Sequence, residues 1–225
     1  MKILLFFIIC GFSFITNAYP IPKDGKATFD VIRKNKIIGS ANTFFEIKDE
    51  NLIVTTEVNI KVKVLFIPAY KFYQKSIETW KDGEFVKFKG HTDFEDKREY
   101  FIDGKDEKKH FTATGMDGEL ELNKNILPFN FLNKEILKEN EIFDMQKGIL
   151  RKIKVEQLEN ETIILNKQKV NVEKYLLNAS RNPKDLGPFP EYTLWYAENG
   201  ELIKFKFTNP KDKKEIITQR NNWKN

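Results

Sequence analysis

Apolar and polar residues alternate with a period of two along much of this chain. From residue 52 to 66, Leu52, Val54, Val58, Ile60, Val62, Val64 and Phe66 share one face with Thr56, while Thr55, Glu57, Asn59, Lys61 and Lys63 share the other. Successive side chains of a strand point to opposite faces, so this pattern predicts a long strand with one buried face. Shorter stretches repeat it. Phe45 and Ile47 fall on one side of 37–47; Val86, Phe88 and Phe94 oppose Lys87, Lys89, His91 and Asp93; Ile203, Phe205 and Phe207 oppose Lys204 and Lys206. Asp82-Gly83, Asp103-Gly104, Asp117-Gly118 and Asn199-Gly200 are dipeptides of the kind that close tight hairpins. Their spacing predicts about ten to thirteen strands in a meander.

Two stretches break the alternation. Residues 127–141 contain Pro128, and Asn133 there is placed to cap a short helix near 131–140. Residues 181–190, with Pro183, Gly187, Pro188 and Pro190, read as a loop. Strand patterns continue on both sides of each, so neither is a domain linker. So large a sheet, with so little helix to cover it, must bury its apolar face by curling on itself. The expected fold is therefore mostly β, an antiparallel meander curled into a half-barrel or barrel, forming a single domain over 19–225 with its core at about 24–220.

The first 18 residues differ in kind. Lys2 precedes an almost unbroken apolar run from Ile3 to Ile15, and Ala18 ends the stretch with a small residue. That is the layout of a secretory signal peptide, too short for a membrane span of about 20 apolar residues. Export to the periplasm follows as an expectation, with the mature chain starting near Tyr19. Cys10, the only cysteine, lies inside that run, so the mature chain has no thiol for disulfides, thiolate metal sites or nucleophilic catalysis. The net charge is +5, but lysines outnumber arginines 33 to 5 and are interleaved with acids. Nucleic-acid sites favour clustered basic faces rich in arginine, so no nucleic-acid partner is expected.

Candidate chemistry is sparse. His91 and His110 fall on polar faces without the carboxylate spacing of a metal site. Asp93, Glu95 and Asp96 mix with lysines near a turn, and no serine sits in a Gly-x-Ser-x-Gly elbow. No catalytic residue, metal ligand or cofactor is assigned, and the chain is expected not to be an enzyme. The aromatic residues are more informative. Tyr70, Phe72, Trp80, Trp195 and Tyr196 have apolar bodies, and the tyrosines and tryptophans add polar tips that suit a cavity lining.

Tyr70-Lys71-Phe72-Tyr73 followed by Glu78-Thr79-Trp80-Lys81-Asp82-Gly83-Glu84-Phe85 resembles the opening motif of an uncharacterised family of exported bacterial proteins, chiefly proteobacterial, known only as a domain of unknown function. Leu194-Trp195-Tyr196-Ala197-Glu198-Asn199-Gly200-Glu201-Leu202 resembles its closing motif, with Leu132 standing where the family has tryptophan. The resemblance implies a periplasmic sheet similar in outline to the half-barrels that carry lipoproteins or lipids. The leading expectation is a non-enzymatic protein that binds an apolar or amphipathic ligand, such as a lipid or acyl chain, at Tyr70, Phe72, Trp80, Trp195 and Tyr196. Alternatives are a scaffold or assembly factor that binds protein through a strand edge, and a hydrolase. Charged residues scattered through most strands speak against an outer-membrane barrel.

Overall fold

A computed structural model describes residues 19–64, 67–94, 98–185, 187, 189–209 and 212–223. The expected signal peptide with Cys10, and Phe66, Glu95, Asp96 and Pro188, lie outside the described residues. Fourteen strands run β1 (Lys26–Arg33), β2 (Lys36–Lys48), β3 (Asn51–Val64), β4 (Ile67–Lys81), β5 (Glu84–Asp93), β6 (Glu99–Asp106), β7 (His110–Gly115), β8 (Gly118–Asn123), β9 (Glu141–Asp144), β10 (Ile149–Leu165), β11 (Gln168–Ala179), β12 (Tyr192–Ala197), β13 (Leu202–Thr208) and β14 (Glu215–Arg220). All fourteen join one sheet in the order β8-β7-β6-β5-β4-β3-β2-β1-β14-β13-β12-β11-β10-β9. Every pairing between these strands is antiparallel.

The expected mostly β, antiparallel curled meander is therefore what forms, and the sheet does not close. Its strand count exceeds the expected range because several hairpins turn without glycine. Lys34-Asn35, Asp49-Glu50 and Asn166-Lys167 all adopt positive φ between paired strands. Asp82-Gly83, Asp117-Gly118 and Asn199-Gly200 lie at turns as predicted, with Gly83, Gly118 and Gly200 at positive φ. Asp103-Gly104 does not: it lies within β6, where a Cβ on Gly104 would meet the Phe111 ring at 2.6 Å. That glycine makes room for an aromatic ring instead of bending the chain.

The one helix among the described residues is a single 3-10 turn, Lys134–Lys138, where a helix was expected. Asn133 caps it by accepting from the Glu135 amide at 3.1 Å. The segment around it, 124–140, sits between the two sheet edges in sequence and fills the curl in space. Ile126, Leu132 and Ile136 join one core with Val54, Phe88, Ile102, Phe111, Phe143, Leu177, Leu194 and Tyr196. The same segment covers the free edge of β9: Phe129 N donates to Phe143 O at 2.8 Å and Phe143 N to Leu127 O at 2.9 Å. Pro128, which has no amide hydrogen to donate, fits this edge position.

The two halves of the sheet also meet at their turns. The Met116 amide donates to Lys147 O at 2.7 Å, and Gly115 packs against Gly148 so closely that a Cβ on Gly115 would lie 2.5 Å from both the Gly148 Cα and its carbonyl oxygen. Backbone atoms cannot swing aside as a side chain can. Gly115→Ala should therefore cost about 1–3 kcal/mol and lower the melting temperature by several degrees in a thermal melt. Gly200→Ala, where nothing lies within 4 Å, should lose only about 1 kcal/mol from its positive φ.

Candidate functional site

The concave face can be followed row by row across β4, β3, β2 and β1, because their pairing keeps one register from Val54 to Val62. The innermost row is Glu78, Val54 and Phe45; next come Ser76, Thr56, Thr43 and Ala27. The third is Gln74, Val58, Ala41, Phe29 and Arg220. The fourth is Phe72, Ile60, Gly39, Val31, Thr218 and Phe205, and Tyr70 faces Val62 beyond it.

Burial changes along these rows. Val54 and Glu78 have no exposed surface, whereas Val58, Ile60 and Val62 are partly exposed and Tyr70 is 40% exposed. In the outer rows the β3 side chains and Tyr70 stay open, whereas Phe29, Val31, Phe72, Gln74 and Thr218 beside them are buried. On the same face, Phe205 and Phe207 of β13 are also partly exposed. Phe205 meets Phe131 at 4.8 Å between ring centres, Phe207 meets Tyr192 at 5.4 Å, and Phe129 and Phe189 complete the cluster. The outer half of the curl thus carries a partly exposed apolar strip, Val58, Ile60 and Val62 of β3, with Phe205 and Phe207 of β13 on the same face.

At the sealed end lies a buried carboxylate with neutral partners. Glu78 Oε2 accepts from the Tyr19 hydroxyl and from Trp80 Nε1 at 3.0 Å, and Oε1 accepts from Asn130 Nδ2 at 2.8 Å. Burial pushes the Glu78 carboxyl above its ordinary value, and these three donors pull part of the way back. Burial, and then the Glu78 charge, likewise raises the Tyr19 hydroxyl. Tyr19 further packs edge-on against Trp80 at 5.5 Å and Phe45 at 5.7 Å.

A second polar cluster ties the 181–190 loop to the β9–β10 turn. Arg151 Nε donates to Asp144 Oδ2 and Arg151 Nη2 to Asp185 Oδ2, both at 2.6 Å, while Lys147 also pairs with Asp185. Burial works to raise the Asp185 carboxyl, but Lys147, Arg151 and the Gly187 amide outweigh it and hold the carboxyl below its ordinary value. These ions neutralise one another, so the cluster reads as a clamp.

Of the residues singled out in the sequence, Phe72, Trp80 and Tyr196 lie on the concave side. Phe72 packs on Phe94 at 5.2 Å, and the Tyr196 hydroxyl donates to Phe131 O at 2.8 Å. Tyr70 stands at the open rim. Trp195 does not join them: it faces the other side of the sheet, in a smaller core with Leu165, Val172, Ile203 and Trp223. Its indole donates to Glu161, and Lys204 lies 4.4 Å from its ring centre. Adjacent residues of a strand face opposite ways, so Trp195 and Tyr196 cannot line one cavity. Sequence reasoning missed Glu78, Asn130 and Tyr19. The signal available was an acid on the apolar face of a strand, two residues before Trp80. His91 lies on the outer face, bonded to Glu99 at 2.8 Å and stacked on Phe101 at 4.5 Å.

This arrangement defines an open, curled antiparallel sheet with a plugged inner end. The chain belongs to the family described as Domain of unknown function (DUF6134), which matches residues 29–219. Among solved structures it is similar to a β-barrel-like protein of domain of unknown function DUF1849 from Brucella abortus, at TM-score 0.61 and 13% identity, over 87% of this chain and 94% of that one. A putative exported protein with a YmcC-like fold from Bacteroides fragilis aligns at TM-score 0.37 and 11% identity, over 92% and 98%. A search of the curated proteins found no match.

The raised Glu78 value sets a pH dependence. The folded protein holds this proton over a pH range in which the unfolded chain has released it. The resulting stabilisation is complete below the ordinary carboxylate range and is lost as pH rises through the folded value. Melting temperature followed from about pH 4 to about pH 8 should fall more with pH in the wild type than in Glu78→Gln. The variant should also be less stable by about 1–3 kcal/mol, because an amide brings its own NH2 into a site already made of donors.

Proposed function

We propose that this protein is an exported, non-enzymatic binding protein that holds an apolar or amphipathic chain in the open half of its curled sheet. One observation carries the reading: the row of Val58, Ile60 and Val62 continues the core face of Val54 but stays partly exposed. An ordinary core strand would cover this face with its own chain. Here the 124–140 segment covers the inner rows, and aromatic rings on β13 face the same concave space. Each methylene moved from water into such a trough gains about 0.8 kcal/mol, so a chain of roughly a dozen carbons offsets the cost of association. A periplasmic location rests on the apolar leader and on the family resemblance. Tyr19, the expected first residue after cleavage, is itself buried.

Docking of a protein along a strand edge has less support. The edge of β9 is occupied by residues 127–129, and the short edge strand β8 carries exposed Glu119 and Glu121, charges that discourage strand addition. For catalysis, the buried Glu78 is held by neutral donors within the core, an arrangement that serves packing.

Tryptophan emission titrated with medium-chain amphiphiles, laurate and monolaurin among them, should change saturably at micromolar levels or below. The change should persist in Trp195→Phe, because that indole faces the opposite side. Ile60→Asp should weaken binding at least about tenfold by placing a charge on the trough wall. Because Ile60 is partly exposed, the variant should still melt cooperatively. Unchanged emission with both amphiphiles would remove the binding reading. Intact mass of the exported protein should correspond to a chain that starts at Tyr19.

A further inference from the structure

Two hydroxyls on the concave face have no hydrogen-bond partner in the protein although both are buried: Ser76 Oγ, in a residue 1% exposed, and Thr92 Oγ1, in a residue with no exposed surface. Buried polar groups are almost always bonded, and each exception calls for an explanation. These two are neighbours. Ser76 stands opposite Gly90 and Gln74 opposite Thr92, so the hydroxyls lie diagonally across the β4–β5 pair on one face. The Phe88 ring and the Met145 carbonyl lie over Gly90 beside them, and the side chains next to Ser76 along its row are polar. Thr43 and Thr56 bond to each other at 2.9 Å in the Ser76 row, and Gln146 reaches from the β9–β10 turn to Gln74 at 3.3 Å. The next row outward, Phe72 and Ile60, begins the apolar trough.

We infer that this hydroxyl row receives the polar head of the bound molecule, that the chain enters head first, and that the head is an uncharged hydrogen-bonding group such as a glycerol ester, alcohol or amide. The inference rests on the binding reading above. The charges around the row select against an acid. Glu78, two residues inward on the same face, is buried with neutral partners and no cation. The nearby cations are already engaged: Lys147 with Asp185, Arg220 with Glu201 at 3.3 Å, and Arg98 stacked on the Phe94 ring at 4.6 Å. A carboxylate head would lose its water without gaining a counter-ion, whereas a neutral hydroxyl meets two waiting partners.

The test compares monolaurin with laurate, two amphiphiles with the same acyl chain, by isothermal titration at neutral pH on the full mature chain. Monolaurin should bind at least about tenfold more tightly. Ser76→Ala and Thr92→Val should each weaken monolaurin by about two- to tenfold, one hydrogen bond's worth, and leave laurate unchanged. Both variants should keep or raise the melting temperature, because removing an unpartnered buried hydroxyl relieves a cost, so lost affinity would not reflect lost fold. Equal affinity for the two amphiphiles, or variants that bind monolaurin as the wild type does, would overturn the head-first assignment while the trough reading stands. Absence of binding by both would overturn the two together.

Discussion

The Glu78 carboxylate is the point on which the inner half of this molecule depends. A buried carboxylate is costly unless its oxygens are saturated with donors. Here the donors come from three places far apart in the chain: Tyr19 before the first strand, Trp80 on the same strand, and Asn130 in the 124–140 segment. Satisfying one acid therefore fixes the entry of the chain, the β4–β5 hairpin and the plug relative to one another. Asn130 is itself held, its Oδ1 accepting from the Leu132 amide at 3.1 Å, which leads directly into the Asn133 cap and the 3-10 turn.

From that anchor the concave face changes outward along β3 and β4: a buried acid, then hydroxyls and an amide, then the buried Phe72 beside the partly exposed Ile60 and Val62. The gradient exists because β2, β3 and β4, at 13, 14 and 15 residues, are longer than the plug segment can cover. Strand length thus decides how much of the interior is core and how much is trough. The convex side obeys a different rule. There Trp195 and Trp223 close a small second core, while Phe101 stacks on the partly exposed His91.

The sheet was legible in the sequence because period-two alternation is a local signal, and so was the capped turn at Asn133. The glycine-free hairpins at Lys34-Asn35, Asp49-Glu50 and Asn166-Lys167 were not, since residues other than glycine carry their positive φ. Gly104 misled for the converse reason: an Asp-Gly pair looks the same whether it bends the chain or clears space for Phe111. The candidate rings were legible as aromatics but not as a site. Alternation alone separates Trp195 from Tyr196, yet only the register shows which of them shares a face with Trp80. Glu78, Ser76 and Thr92 escaped because a polar residue on an apolar face carries no local mark of what it will meet.

Around the sheet, the strands follow chain order as a cyclic rotation: β1 lies beside β14, and the break falls between β8 and β9. The seam of the curl is therefore internal to the chain, and the beginning and end of the strand sequence are zipped together in its middle. A protein arranged this way keeps its loosest junction away from its first and last strands. The segment that crosses the seam, 124–140, becomes both the connection between two halves and the material that fills the space they enclose.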